Sequence, residues 1–144
     1  MVEIKRLREG AVIPTYGSAQ AACCDLYACI DAPIMVNPHE TVMIGTGLAI
    51  KPPAGHYGAI YARSGMATKK GLRPANCVGI CDEDYRGEYI VALHNDCDIC
   101  RTIEPGDRIA QLMFVPYQQF ELCEVEELDE TERGAGGFGS TGTK

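Results

Sequence analysis

One stretch of the chain sets three carboxylates directly after a short apolar run: Asn76-Cys-Val-Gly79-Ile-Cys-Asp82-Glu-Asp84-Tyr85-Arg86-Gly87-Glu88. A lone acidic turn is ordinarily a solvated hairpin tip. Two details argue for more. Asp82 follows the apolar run at once, where a carboxylate can be held rigid and partly desolvated, as a general base must be. Tyr85, the one aromatic of the hairpin, puts a stiff ring just beyond it.

Three further segments bear on an anionic substrate. Ala62-Arg63-Ser64-Gly65-Met66-Ala67 is a strand-to-helix junction. It is either a capped helix with an exposed arginine or an anion site combining a guanidinium, a hydroxyl and free N–H groups; the segment alone supports both. In Gly106-Asp107-Arg108-Ile109-Ala110-Gln111-Leu112, a glutamine sits inside an apolar strand and needs a partner if buried. Asp25, in Cys24-Asp25-Leu26-Tyr27, poses the same question. Singly, each is more often structural than catalytic.

The tail, Arg133-Gly-Ala-Gly-Gly-Phe138-Gly-Ser-Thr141-Gly-Thr-Lys144, contains a dinucleotide-type fingerprint at Gly134-Ala-Gly136-Gly-Phe-Gly139. That motif works only between a strand and a helix, and no helix can follow here. A Walker A loop is excluded by the lack of a lysine before Ser140. The tail is too glycine-rich to hold a shape of its own.

The elements that must position these residues are short strands. Turn signals recur every 8–12 residues, as in Asn37-Pro38-His39-Glu40, Pro52-Pro53-Ala54-Gly55, Asn95-Asp96 and Glu104-Pro105-Gly106. Between them lie β-favouring runs at 41–50, 56–62, 78–81, 89–93 and 108–115. Only 64–70 has helical character, with Ser64 placed to cap it. The expectation is an all-β, jelly-roll-like barrel of short antiparallel strands with one short helix and a flexible Gly-rich arm. The barrel domain spans 1–132 and the arm 133–144.

The 144 residues suit one domain. The net charge of −7 argues against a nucleic-acid partner. No apolar run approaches a membrane span, and the charged start lacks the character of a signal peptide, so a cytoplasmic protein is expected. Eight cysteines in such a chain read as reduced thiols, most of them small core hydrophobes. Cys97-Asp-Ile-Cys100 has zinc-like spacing but no second matching pair.

Taken in order, the motifs resemble the trimeric dUTP pyrophosphatases. The five segments are Ala22–Ala28 around Asp25, Gly58–Ala67 around Arg63-Ser64-Gly65, Asn76–Glu88 around Asp82, Gly106–Leu112 around Gln111, and the Arg133–Gly142 tail. The third and fifth are specific, and together the five cover nearly the whole chain. The departures are small: Cys23-Cys24 replaces small and aromatic residues, Ala59 and Ala62 replace an arginine and a proline, and Cys81 replaces a branched aliphatic. The missing arginine at Ala59 leaves open how the triphosphate end is neutralised.

The resemblance implies a homotrimer that hydrolyses dUTP to dUMP and pyrophosphate with Mg²⁺, keeping uracil out of DNA and supplying dUMP for thymidylate synthesis. It implies Asp82 as general base, Asp25 holding metal-bound waters, and Arg63, Ser64, Gly65 and Gln111 on the phosphates. Asn76 and backbone near Gly79 would read uracil, and rejecting cytosine on such contacts can reach roughly 10⁴-fold. Tyr85 would lie under the deoxyribose. Arg133, Phe138, Gly139, Ser140 and Thr141 would form a lid from another subunit. The rivals are a dCTP deaminase of the same fold and a non-catalytic nucleotide-binding trimer.

Overall fold

The computed structural model describes residues 1–137. Among these residues eleven strands form: β1 (Glu3–Arg6), β2 (Thr15–Tyr16), β3 (Cys24–Tyr27), β4 (Ile34–Val36), β5 (Thr41–Lys51), β6 (His56–Tyr61), β7 (Leu72–Pro74), β8 (Gly79–Cys81), β9 (Glu88–Asn95), β10 (Arg101–Ile103) and β11 (Arg108–Pro116). They make a four-stranded sheet ordered β1-β5-β9-β7, a five-stranded sheet ordered β2-β3-β11-β6-β8, and a two-stranded sheet of β10 and β4. Every strand pair is antiparallel. The expected all-β class and each β-favouring run therefore stand.

Alternation builds the core. Tyr89, Val91 and Leu93 of β9 and Ile44, Leu48 and Ile50 of β5 are buried, as are Leu26, Ile60 and Leu112 from the five-stranded sheet. All belong to one apolar cluster, so the two larger sheets share a single core. The turns use the residues that mark them in the sequence. Gly106 adopts φ 80°, and Asp107 N donates to Glu104 O at 3.1 Å, the geometry that Pro-Gly favours.

Asn95 ties the small sheet to this body. It is fully buried, and its side-chain amide donates to Val36 O, Asn37 O and Ile99 O at 3.0, 3.2 and 2.8 Å. Its carbonyl accepts from Cys97 N. Both the amide nitrogen and the carbonyl oxygen of this buried side chain are thus hydrogen-bonded.

Two expectations need correction. The short helix is a π-helical turn, Met66–Lys70, and Ser64 does not cap it. Gly65 occupies the N-cap position in a helical conformation with no side-chain cap, while Ser64 O accepts from Thr68 Oγ1. The cysteines are free, but only Cys24 and Cys29 are buried in the core. Cys81 packs against it, and Cys77, Cys100 and Cys123 are exposed because they lie in loops and the segment after β11.

Candidate active site

The outer face of the five-stranded sheet carries two groups of polar side chains. The first gathers at β3 and β11. Asp25 and Gln111 are paired across these strands, and Tyr61 on β6 pairs with Gln111 from the other side. The Asp25 carboxylate is mostly covered and accepts from Arg63 Nε at 2.8 Å and from Arg108 Nη1 at 3.2 Å. Gln111 Nε2 donates to Ala62 O at 2.9 Å, which satisfies one of its two amide protons and ties β11 to the residue before Arg63. Ser64 and Gly65 border the same cleft, with Cys23 and Ala21 on its far side.

Arg108 enters this cleft because of a β-bulge. The β11–β3 register slips between Arg108 and Ala110, so Ile109 and Ala110 both turn inward and Arg108 turns out beside Gln111. Strict alternation along the strand would put the Arg108 side chain opposite to Gln111's, so the sequence alone does not bring Arg108 here. A cation opening an apolar strand just after Gly106-Asp107 was the available signal.

The second group lies at the β8 edge. Asp82, Glu83, Asp84 and Arg86 share an open cleft with Ile80, Tyr57 and Tyr117. Asp82 is exposed, contrary to the partial desolvation expected of it. The reason is its place: β8 is a three-residue edge strand, and among the described residues no strand pairs with its outer side. Glu83 anchors the hairpin instead, its carboxylate accepting from Gly55 N and Tyr117 Oη, both at 2.9 Å. The Glu83 contact pushes the Tyr117 phenol pKa up.

Tyr85 is pinned to its own hairpin. Its hydroxyl donates to Glu88 O at 3.0 Å, and its ring lies tilted 35° against Tyr89 with centroids 6.2 Å apart. A Cβ on Gly87 would collide with that ring. One side of Tyr85 stays open, with the residue 42% exposed. Asn76 is exposed on the loop before β8, its amide near the backbone of buried Gly79, which pairs with Ile60.

The two groups do not meet. Asp82 follows Cys81, which pairs with Gly58, whereas Asp25 sits in register with Gln111 and Tyr61. Asp82 is thus three strands from Asp25, about 14 Å across the sheet, and offset by roughly four residues, about 13 Å along it. Arg133 is exposed, its Nε donating to Gly136 O. Phe138, Gly139, Ser140 and Thr141 fall outside the described residues.

Among the described residues no cluster of three His, Cys, Asp or Glu side chains could hold a metal ion. Cys97 and Cys100 thus belong to no such group. Asp25 has two of its roughly four lone-pair sites taken by arginines, leaving capacity for water. That donor set suits Mg²⁺, a hard ion that keeps several waters and binds largely through substrate phosphates. No helix among the described residues is long and apolar enough to cross a membrane.

Comparison with known proteins agrees on one family. The dUTPase family model matches residues 9–142. The chain is 45% identical over 141 residues to the deoxyuridine 5'-triphosphate nucleotidohydrolase of Hydrogenobaculum sp., covering 98% of this chain and 97% of that protein. It is 47% identical over 131 residues to the protein of that name from Desulfitobacterium hafniense, covering 90% and 87%. The dUTPase of Staphylococcus bacteriophage 80alpha with dUPNHPP superposes with a TM-score of 0.89 at 29% identity, covering 99% of each chain.

Proposed function

The chain belongs to the dUTPase family, and from that premise we propose that it hydrolyses dUTP to dUMP and pyrophosphate in a homotrimer whose sites are shared between subunits. The observation that carries this reading is the separation of its two polar groups. A base at Asp82 and a phosphate cradle at Arg63 cannot serve one phosphorus from within a single chain. A neighbouring copy supplying the other half resolves the gap, and it would also cover the bare β8 edge. The jelly-roll form and the division into a 1–132 barrel and a 133–144 lid are part of the same proposal.

In this mechanism Asp82 orients a water and takes its proton as the water attacks the α-phosphorus. Arg63, Ser64, Gly65 and Gln111 hold the phosphate chain and stabilise charge on the leaving pyrophosphate. Arg108 adds a second guanidinium there, an answer to the arginine missing at the buried Ala59. Asn76 and the Gly79 backbone read uracil, and Tyr85 lies under the deoxyribose. Arg133, Phe138, Gly139, Ser140 and Thr141 close over the substrate from a third chain. Mg²⁺, when bound, neutralises phosphate charge, with Asp25 oriented to hold its waters. Such an enzyme lowers dUTP, keeps uracil out of DNA and supplies dUMP, and the cytoplasm is where it would act.

The test is direct. With Mg²⁺ present, dUTP should yield pyrophosphate and dUMP, and dCTP should yield no ammonia. Ammonia from dCTP would identify a deaminase, and binding of dUTP without turnover a non-catalytic trimer.

A further inference from the structure

We infer that Glu88, held by Arg8 and the Gly47 amide, is a positioning residue that sets sugar selectivity by fixing Tyr85. This rests on the reading above, in which Tyr85 packs under the deoxyribose.

Strands β5 and β9 are mismatched in length where they meet Glu88. Gly45 of β5 pairs with Ile90 of β9, but Ala49 pairs with Glu88, so four steps of β5 face two of β9. The surplus backbone must find partners outside the ladder. Thr46 Oγ1 donates to Tyr89 O at 2.7 Å, and Gly47 N donates to the Glu88 carboxylate at 2.6 Å. Arg8, from the loop after β1, pairs with the same carboxylate oxygen through Nη2 and donates from Nε to Cys29 Sγ at 3.4 Å.

The bulge is shaped around this pair. A Cβ on Gly45 would collide with the Arg8 guanidinium and the Glu88 carboxylate. Gly47 sits at φ 69°, and a Cβ there would come within 2.8 Å of Ala11 Cβ and Cys29 Sγ. Only glycine meets both demands.

Glu88 faces both ways. Its side chain is locked to β5 and Arg8, while its main-chain carbonyl receives the Tyr85 hydroxyl at 3.0 Å. Whatever fixes Glu88 therefore fixes the height of the Tyr85 ring. The Arg8 head is about half exposed, so the ion pair itself adds little to stability. Its effect lies in position.

The measurement is the preference for dUTP over UTP, as a ratio of kcat/KM, in wild type, Tyr85→Ala, Glu88→Ala, Glu88→Gln and Arg8→Met, each checked for folding and assembly. Glu88→Ala should lower the preference at least fivefold, through a rise on UTP. Arg8→Met should do so by a smaller factor, and it covers the case in which Glu88→Ala does not fold. Glu88→Gln, which keeps an acceptor for Gly47 N, should recover most of the preference. If Tyr85→Ala lowers the preference but folded Glu88→Ala or Arg8→Met leaves it unchanged, the positioning role is overturned and the Tyr85 assignment survives. If Tyr85→Ala itself changes nothing, both fall. A wild-type enzyme that releases no pyrophosphate from dUTP would remove the functional premise.

Discussion

Asp82 and Asp25 face the same side of one sheet, three strands and four residues apart. Asp25 is largely covered and doubly paired to arginine; Asp82 is exposed at an edge. One carboxylate is paired within the chain, and the other, in the proposed trimer, would be completed by a neighbour. The first two predictions follow from that contrast.

Asp82→Asn should lower kcat by about 10²-fold or more. Stability should stay within about 0.5 kcal/mol of wild type, because an exposed side chain is replaced by one of the same shape. Urea unfolding beside steady-state kinetics checks both. Turnover within a few-fold of wild type would place the base elsewhere.

Complementation tests the sharing of sites. A chain truncated after Glu132 lacks a lid and an Asp82→Asn chain lacks a base, so each alone should be nearly inactive. In a head-to-tail threefold ring, any mixed trimer has one junction at which an intact base meets an intact tail. Co-refolding should restore a substantial part of wild-type activity. No recovery despite subunit exchange verified by mass would show that base and tail act from one chain.

Gly87→Ala should disturb Tyr85 without touching its chemistry. The new methyl forces the ring off its seat and costs roughly 1–3 kcal/mol, the range for overpacking. Discrimination against UTP should drop as in Tyr85→Ala. A loss of stability with discrimination intact would mean that Tyr85 does not guard the sugar.

Burial pushes the Cys81 thiol pKa up from 9.0 to about 11. In the unfolded chain this thiol ionises near 9, whereas the folded chain keeps its proton to higher pH. The unfolded state thus sheds protons first, and stability falls as pH rises from 9 to 11. The loss at the upper end is at most about 2–3 kcal/mol. Cys81→Val should unfold with a shallower pH slope over that window, measured by urea titration at pH 8 and pH 10.5. Parallel slopes would refute the assignment.

Much of the fold was legible because alternation and turn chemistry are local. Pro105-Gly106 dictates its turn, and the run at 108–115 is an apolar stretch of strand length closed off by Pro116. What escaped depends on register. The bulge at Ile109 that swings Arg108 onto Asp25 leaves no mark on composition, and neither does the slip at Gly45–Ala49 that seats Glu88. The exposure of Asp82 escaped because desolvation at an edge strand is decided by what lies against it, which the apolar run before Asp82 does not specify. Ser64 misled as a cap since its neighbour Gly65 takes that position without a side chain.

Asn95 has a consequence for how the molecule comes apart. A single amide group laces β4 and the loop before β10 to β9, beside the packing of Val36 and Ile103 in the core. Exchanging that nitrogen for oxygen, as slow hydrolysis of the amide would, sets a carboxylate against three carbonyls and turns a clasp into a repulsion. The molecule would then open at this seam first, with amide hydrogens of residues 34–36 exchanging long before those of the shared core. Chemical ageing at one buried atom would thus unbutton an edge and leave the sheet that bears Asp25 and Asp82 standing.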